Sequence, residues 1–241
     1  MIILTTFFEY PEYPHEYSAL NKVFEMSCKK HMPDVEIVTL KLDVDVSKNT
    51  RHIGYHANTI KLRAVSEYIK SVDDDVILID SDMLCLRPGY HAFDKPFDIA
   101  YTMRTKLNGL GSPTINGGVI MIRNNQRAKN WIKCLCCVNE AMYSNPSFHA
   151  AWNKYYPGMN QAAMGYLLES DNQAIVHEYK TQEWNAVDCD WENIDEKTVF
   201  AHFKGQLREN IKNKISFSGL EDLSRLWYNY YHDYRSNACK K

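Results

Sequence analysis

The sequence lacks the Gly-rich phosphate loop that would follow a first strand. LTTFFEYPEY holds neither glycine nor a lysine or arginine. It also lacks a charge excess. The formal net charge is -2, which removes the electrostatic case for a dedicated nucleic-acid binder. No apolar run approaches the ~20 residues of a membrane span. The start, MIILTTFFEYPEYP, has no basic n-region, and its apolar run is too short for a signal peptide, so a cytoplasmic location is expected. Repeats, low-complexity tracts and linkers are also missing. The seven cysteines are odd in number and irregular in spacing. Cys134, Cys136 and Cys137 fall on a predicted helix, where offsets of two and three do not converge on one metal. They read as free, buried thiols of a reducing compartment.

What is present is globular. In 241 residues, 45% are hydrophobic, enough for one well-buried domain. MIILTT opens as a buried strand. Tyr17, Leu20, Val23, Phe24 and Cys28 recur at helical spacing, and VEIVTLKL alternates as a second strand. Asn58 is placed to cap a helix over 59–71. VILID (76–80) is continuously apolar, as a central parallel strand covered on both faces should be. Strands are expected at 98–103, 118–123, 174–179 and 198–203, and helices from Trp131 to Met142 and from Met159 to Leu168. Residues 143–158 read as irregular. Leu223, Leu226, Trp227, Tyr230, Tyr231 and Tyr234 mark a C-terminal helix whose periodicity favours docking on the chain's own core. The β-α-β-α-β order predicts an α/β fold with a mostly parallel sheet flanked by helices. It divides as a single domain, with a core over 1–215 and a helical appendage over 216–241.

An open α/β sheet binds ligands beyond the carboxyl ends of its strands. Of four D-x-D pairs (Asp43/Asp45, Asp73/Asp75, Asp80/Asp82 and Asp188/Asp190), only Asp80/Asp82 ends a fully apolar strand. Residues i and i+2 of an extended chain point the same way. Two carboxylates side by side suit Mg²⁺ or Mn²⁺, with a diphosphate completing the shell. A solvated strand end is the competing reading.

The run KLRAVSEYIKSVDDDVILIDSDMLCLRPG resembles the GT-A fold nucleotide-sugar glycosyltransferases, most of all glycosyltransferase family 8, the glycogenin and bacterial lipopolysaccharide galactosyltransferase type. Further similarities follow in order up to about residue 210. Leu4, Thr5 and Thr6 with Tyr10 are similar to the first strand and loop that hold the donor's nucleoside. Lys61 sits where a donor-contacting lysine is found. Asn116, Gly117 and Gly118 resemble the family's N-S-G-V segment under the donor sugar. Gly158-Met159-Asn160-Gln161 resembles its G-G-D-Q. His202-Phe203-Lys204-Gly205 with Arg208 resembles its H-F-x-G-x-x-K.

The resemblance implies a Rossmann-like GT-A domain and a sugar transfer with retention from a nucleotide-diphosphate donor, UDP-sugar favoured. It implies Mn²⁺ (or Mg²⁺) held by Asp80, Asp82 and His202. Leu4, Thr5, Thr6, Tyr10, Lys61, Asn116, Gly117, Gly205 and Arg208 would bind the donor, and Asn160 and Gln161 would stabilise an oxocarbenium-like sugar. A homo-oligomer is compatible with this reading, and the acceptor is not legible. Two departures stand out. Phe7 takes the place of a polar residue facing the base, and Asn160 that of an aspartate beside the sugar. Two rivals share the sheet: a sugar nucleotidyltransferase, which the missing phosphate loop disfavours, and a non-catalytic sugar or nucleotide binder.

Overall fold

Strand alternation decides which side of the sheet each residue serves. In the computed structural model, Ile2, Leu4, Val76 and Leu78 face one apolar cluster, with Leu62, Val65 and Trp131. Ile3, Ile77 and Ile79 face another, with Phe24, Met32 and Trp184. The structure describes residues 1–9, 16–45, 47, 51–104, 114–170, 173–203 and 221–238. Tyr10, Gly205 and Arg208 lie outside them.

The elements run β1 (Ile2–Phe7), α1 (Glu16–His31), β2 (Glu36–Lys41), α2 (Ile53–Ser71), β3 (Val76–Asp80), β4 (Met83–Cys85), β5 (Ile99–Arg104), β6 (Thr114–Ile122), α3 (Gln126–Ser144), α4 (Pro146–Asn153), α5 (Met159–Glu169), β7 (Val176–Lys180), α6 (Thr181–Trp184), β8 (Phe200–His202) and α7 (Glu221–Ala238). Six strands form one sheet in the order β2-β1-β3-β6-β5-β7. The β1–β2, β1–β3 and β5–β7 ladders are parallel, and β6 alone runs against both its neighbours. The order of β2, β1 and β3 reverses beside the first strand, so the sheet has a crevice at the carboxyl ends of β1 and β3. Thr6 and Asp80 are paired there. A separate two-stranded ribbon pairs β4 with β8, Met83 opposite His202.

Four expectations are corrected. Helix α2 begins at Ile53, and its cap is the His52 imidazole, which accepts from the Gly54 N–H at 3.2 Å. Gly54 is tolerated in the first turn, where its N–H goes to the cap, so Asn58 lies inside the helix rather than at its start. Residues 146–153 are helical, because Pro146 fits a first helical turn and Asn145 accepts from Phe148 N–H at 3.1 Å. β6 begins at Thr114, which puts Asn116 and Gly117 in a strand rather than a loop. Cys134 and Cys137 are exposed thiols, because only the Trp131, Leu135, Asn139 and Met142 side of α3 faces the core.

Helix α7 packs on α1. Trp227 and Tyr230 are buried in a third cluster with Leu20, Val23, Leu84 and Phe203. Among the described residues, no helix is long and apolar enough to cross a membrane.

Asp98 pins three elements together. It is 2% exposed. Its oxygens accept from Arg127 Nε at 2.8 Å, Asn125 Nδ2 at 2.9 Å and the Ile175 N–H at 2.7 Å. Burial alone would raise its pKa, but the Arg127 guanidinium, the Ile175 N–H and the Asn125 amide together hold it below the usual carboxylate range. A depressed folded-state pKa contributes stability above the unfolded value of about 3.9 and loses it as pH falls through the folded value. Asp98→Asn is expected to cost about 1.5–3 kcal/mol at pH 7. The gap from wild type should shrink steadily below about pH 4. Urea titrations at pH 7 and pH 3 read this directly, and an equal gap at both pH values would remove the charge from the account.

Candidate active site

Beyond Asp80 the chain bends through Ser81 and Asp82 before entering β4. The two carboxylates are therefore joined by a bend and not by a continuous strand. They converge because β8 returns antiparallel to β4 and delivers His202 between them. His202 Nε2 lies 3.2 Å from Asp82 Oδ1 and 3.9 Å from Asp80 Oδ2. One ligand atom from each of the three residues lies within 4.8 Å of the others, the one such group of three among the described residues.

The histidine's other nitrogen fixes its tautomer. Nδ1 lies 2.9 Å from Asn185 Oδ1. Asn185 Nδ2 donates to Thr102 Oγ1 at 2.8 Å, and Thr102 Oγ1 donates to the Asn116 carbonyl at 3.0 Å. The amide oxygen can only accept, so Nδ1 carries a proton and Nε2 is the nitrogen turned toward the two carboxylates. Three such atoms facing one another are reconciled by a cation. Two carboxylates and an imidazole fit Mn²⁺ well, and fit Mg²⁺, which prefers oxygen throughout, less well. Asn185 is fully buried, and its hydrogen bond to His202 is of the kind that would orient the ring if a metal were held there. In sequence it was one more asparagine in a polar stretch.

Gly118 makes room for this arrangement. A Cβ there would stand 2.7 Å from His202 Cε1 and Nδ1 and 3.0 Å from Asn185 Oδ1. The β5–β6 register shifts between Tyr101/Ile120 and Thr102/Asn116, so Gly117–Val119 bulges out of that ladder beside the site. Gly117 faces Gln161, whose Cδ is 4.0 Å from where a Cβ would be. Gln161 in turn folds against Gly158, whose φ of +117° leaves no strain-free place for a side chain. The segments around residues 117 and 161 are thus in contact.

An open cleft beside the carboxylates is lined by Thr6, Phe7, Phe8, Tyr17, Leu42, Gly54, Ala57, Asn58, Lys61, Asp80, Ser81 and Asp82. Phe8 and Tyr17, which stack at 5.6 Å, give it an apolar wall. Lys61 Nζ, also in its lining, donates to Asp80 Oδ1.

The predicted residues divide accordingly. Asp80, Asp82, His202, Lys61 and Thr6 meet at the cleft or its rim. Leu4 and Thr5 are fully buried in β1, and Leu4 belongs to the core. Asn116 is buried, accepts from the Gly118 N–H at 3.1 Å, and has an Nδ2 without a partner among the described residues. Asn160 is 8% exposed, and both ends of its amide are bonded to other asparagines. One member of each remaining D-x-D pair makes a local structural contact. Asp45 Oδ1 closes a turn onto Ser47, Asp75 pairs with Arg123, and Asp190 accepts from the Val187 N–H.

The sequence matches no protein-family model and no curated protein. The fold does match solved structures. A glycosyltransferase involved in glycosylation of the major capsid of PBCV-1 superposes with a TM-score of 0.61 at 14% identity, over 88% of this chain and 100% of that one. The glycosyltransferase GlyE of Streptococcus pneumoniae gives 0.62 at 14% identity, over 95% of this chain, which spans 60% of the length of GlyE. The galactosyltransferase LgtC, solved with donor and acceptor sugar analogues, gives 0.54 at 15% identity over 85% of this chain and 87% of that one. This chain therefore shares the fold of these structures, the GT-A fold.

Proposed function

We propose that the protein is a metal-dependent glycosyltransferase that takes a sugar from a nucleoside-diphosphate donor. The observation that carries the reading is the meeting of Asp80, Asp82 and His202 beside a cleft lined by the Phe8–Tyr17 pair and by Lys61. The flat base would lie against the Phe8–Tyr17 wall, and the diphosphate toward Lys61 and the carboxylates. When bound, a divalent ion, Mn²⁺ in the first instance, would act as a Lewis acid on the leaving diphosphate.

The chain's own residues do the rest. Lys61 puts fixed positive charge where negative charge develops. The unpartnered Asn116 Nδ2 can donate to a sugar hydroxyl, and Gln161 brings an amide dipole to the same side. In this reading Arg208 and Gly205 would complete the diphosphate site and Tyr10 the nucleoside site. At the position matched beside the sugar the chain offers neutral amides, neither a carboxylate nucleophile nor a carboxylate base. That suits a front-face reaction with retention, in which the leaving phosphate accepts the acceptor's proton.

The test is a donor screen by released nucleoside diphosphate, with and without Mn²⁺. Turnover of at least one nucleoside-diphosphate sugar, dependent on Mn²⁺ and insensitive to Asp43→Ala, is expected. Hydrolysis that persists in full without any divalent ion, or that dies with Asp43→Ala, would sink the assignment. Release of pyrophosphate from a sugar phosphate and a nucleoside triphosphate would replace it by a nucleotidyltransferase.

A further inference from the structure

Three asparagines from three helices form one hydrogen-bonded line that ends in the cleft. Asn139 Nδ2 on α3 donates to Asn160 Oδ1 on α5 at 2.9 Å, and Asn160 Nδ2 donates to Asn58 Oδ1 on α2 at 3.1 Å. Asn139 is fully buried and Asn160 is 8% exposed. Asn58 lines the cleft, and its Nδ2 donates to nothing among the described residues.

The direction of the line has a physical basis. As it runs, the one buried atom left over is Asn139 Oδ1. Reversed, the leftover would be a buried Asn139 amino group with two N–H donors. An orphaned donor is rarer in proteins than an under-used carbonyl oxygen. The favoured direction makes Asn58 accept from behind and present its N–H groups to the cleft. Asparagine is also a poor choice in the middle of a helix on propensity grounds. Asn58 lies three residues before Lys61, so the two side chains share a face of α2 and line the same cleft.

The geometry points to Asn58 as a donor-binding residue whose amide hydrogen-bonds an anionic oxygen of the nucleoside diphosphate, with Asn160 and Asn139 as positioning residues that hold the amide donor-side out. This rests on the function proposed above. It gives Asn160 work that does not involve touching the sugar.

The test is calorimetric titration with uridine, adenosine and guanosine diphosphates at saturating Mn²⁺. Asn58→Ala is expected to weaken the best of the three about tenfold or more, the size of a lost charge-assisted hydrogen bond. Asn58→Asp, which turns a carboxylate toward the phosphates, should weaken it further. Asn139→Asp cannot donate to Asn160, so Asn160 turns to donate to it and Asn58 turns in response, putting its oxygen into the cleft. That change, remote from the cleft, should reproduce most of the Asn58→Ala loss while leaving Mn²⁺ affinity without nucleotide at the wild-type value. Because it acts through Asn58, it should add nothing in the Asn58→Ala background. If Asn139→Asp does not fold, the uncharged Asn139→Leu should give a smaller loss, again absent in that background. Asn58→Ala with wild-type affinity would overturn the inference, as would an Asn139 effect that adds in full to that of Asn58. Failure of the wild type to bind any of the three nucleotides would instead remove the proposed function, and this inference with it.

Discussion

Asp82→Ala is expected to abolish Mn²⁺-dependent donor turnover and to weaken Mn²⁺ binding by about a hundredfold or more, with the fold intact. Outer-sphere partners of metal sites alone are worth about 10–100-fold in affinity, and Asp82 is the carboxylate closest to His202 Nε2, at 3.2 Å. Its side chain is 11% exposed and lies in a bend, so its removal opens no hole in the packed core. Asp80→Ala should behave alike in turnover. It differs in one respect, because Asp80 also accepts from Lys61 and its loss leaves that ammonium unpaired at the cleft. Circular dichroism shows that the fold survives, and Mn²⁺ calorimetry reads the site. A variant of Asp82 that binds Mn²⁺ as the wild type does would refute the metal centre.

Gly118→Ala should be nearly as damaging to metal binding, through crowding rather than the loss of a ligand. The added methyl would stand 2.7 Å from the His202 ring, inside any tolerable contact, and 3.0 Å from the oxygen that orients the ring. The bulk on both sides is buried. His202 is 3% exposed and Asn185 fully buried, so neither side chain has room to step aside. Overpacking of this kind costs about 1–3 kcal/mol of stability. The ring must also tilt away from the carboxylates, so Mn²⁺ affinity should fall about 10–100-fold, as for loss of an outer-sphere partner. Gly117→Ala is the control. Its methyl would meet Gln161 at an ordinary 4.0 Å, and Mn²⁺ affinity should hold. Equal Mn²⁺ affinities in the two alanine variants would contradict the packing argument.

The first half of the fold was legible because its signals are local. A continuous apolar run marked β3, alternation marked β2, and the carboxylates followed from where the apolar run stopped. What the sequence hid was non-local. No period in residues 114–122 says that β6 runs against both its neighbours; that follows from which strands it joins. The start of α2 was misplaced because the histidine at its head is an uncommon cap, and Asn58, a common one, stood six residues further along. Asn185 and Gly118 escaped notice for a related reason. Their importance lies in a contact with His202 that exists only after β8 has returned to β4. The resemblance places Asn160 beside the sugar; that its amide is bonded to Asn139 and Asn58, far from it in sequence, could not be read there.

Two of the three candidate ligands also belong to different sheets. Asp80 ends the large sheet, whereas His202 ends a ribbon strand laid down more than a hundred residues later in the chain. An ion held by both closes a long loop, and closure entropy grows with loop length, though slowly. Such an ion binds the native chain and not the unfolded one, so mass action adds its binding energy to stability, about 2.7 kcal/mol at a free concentration 100 times Kd. If an ion binds as proposed, the melting temperature of this protein becomes a property of the buffer as much as of the chain.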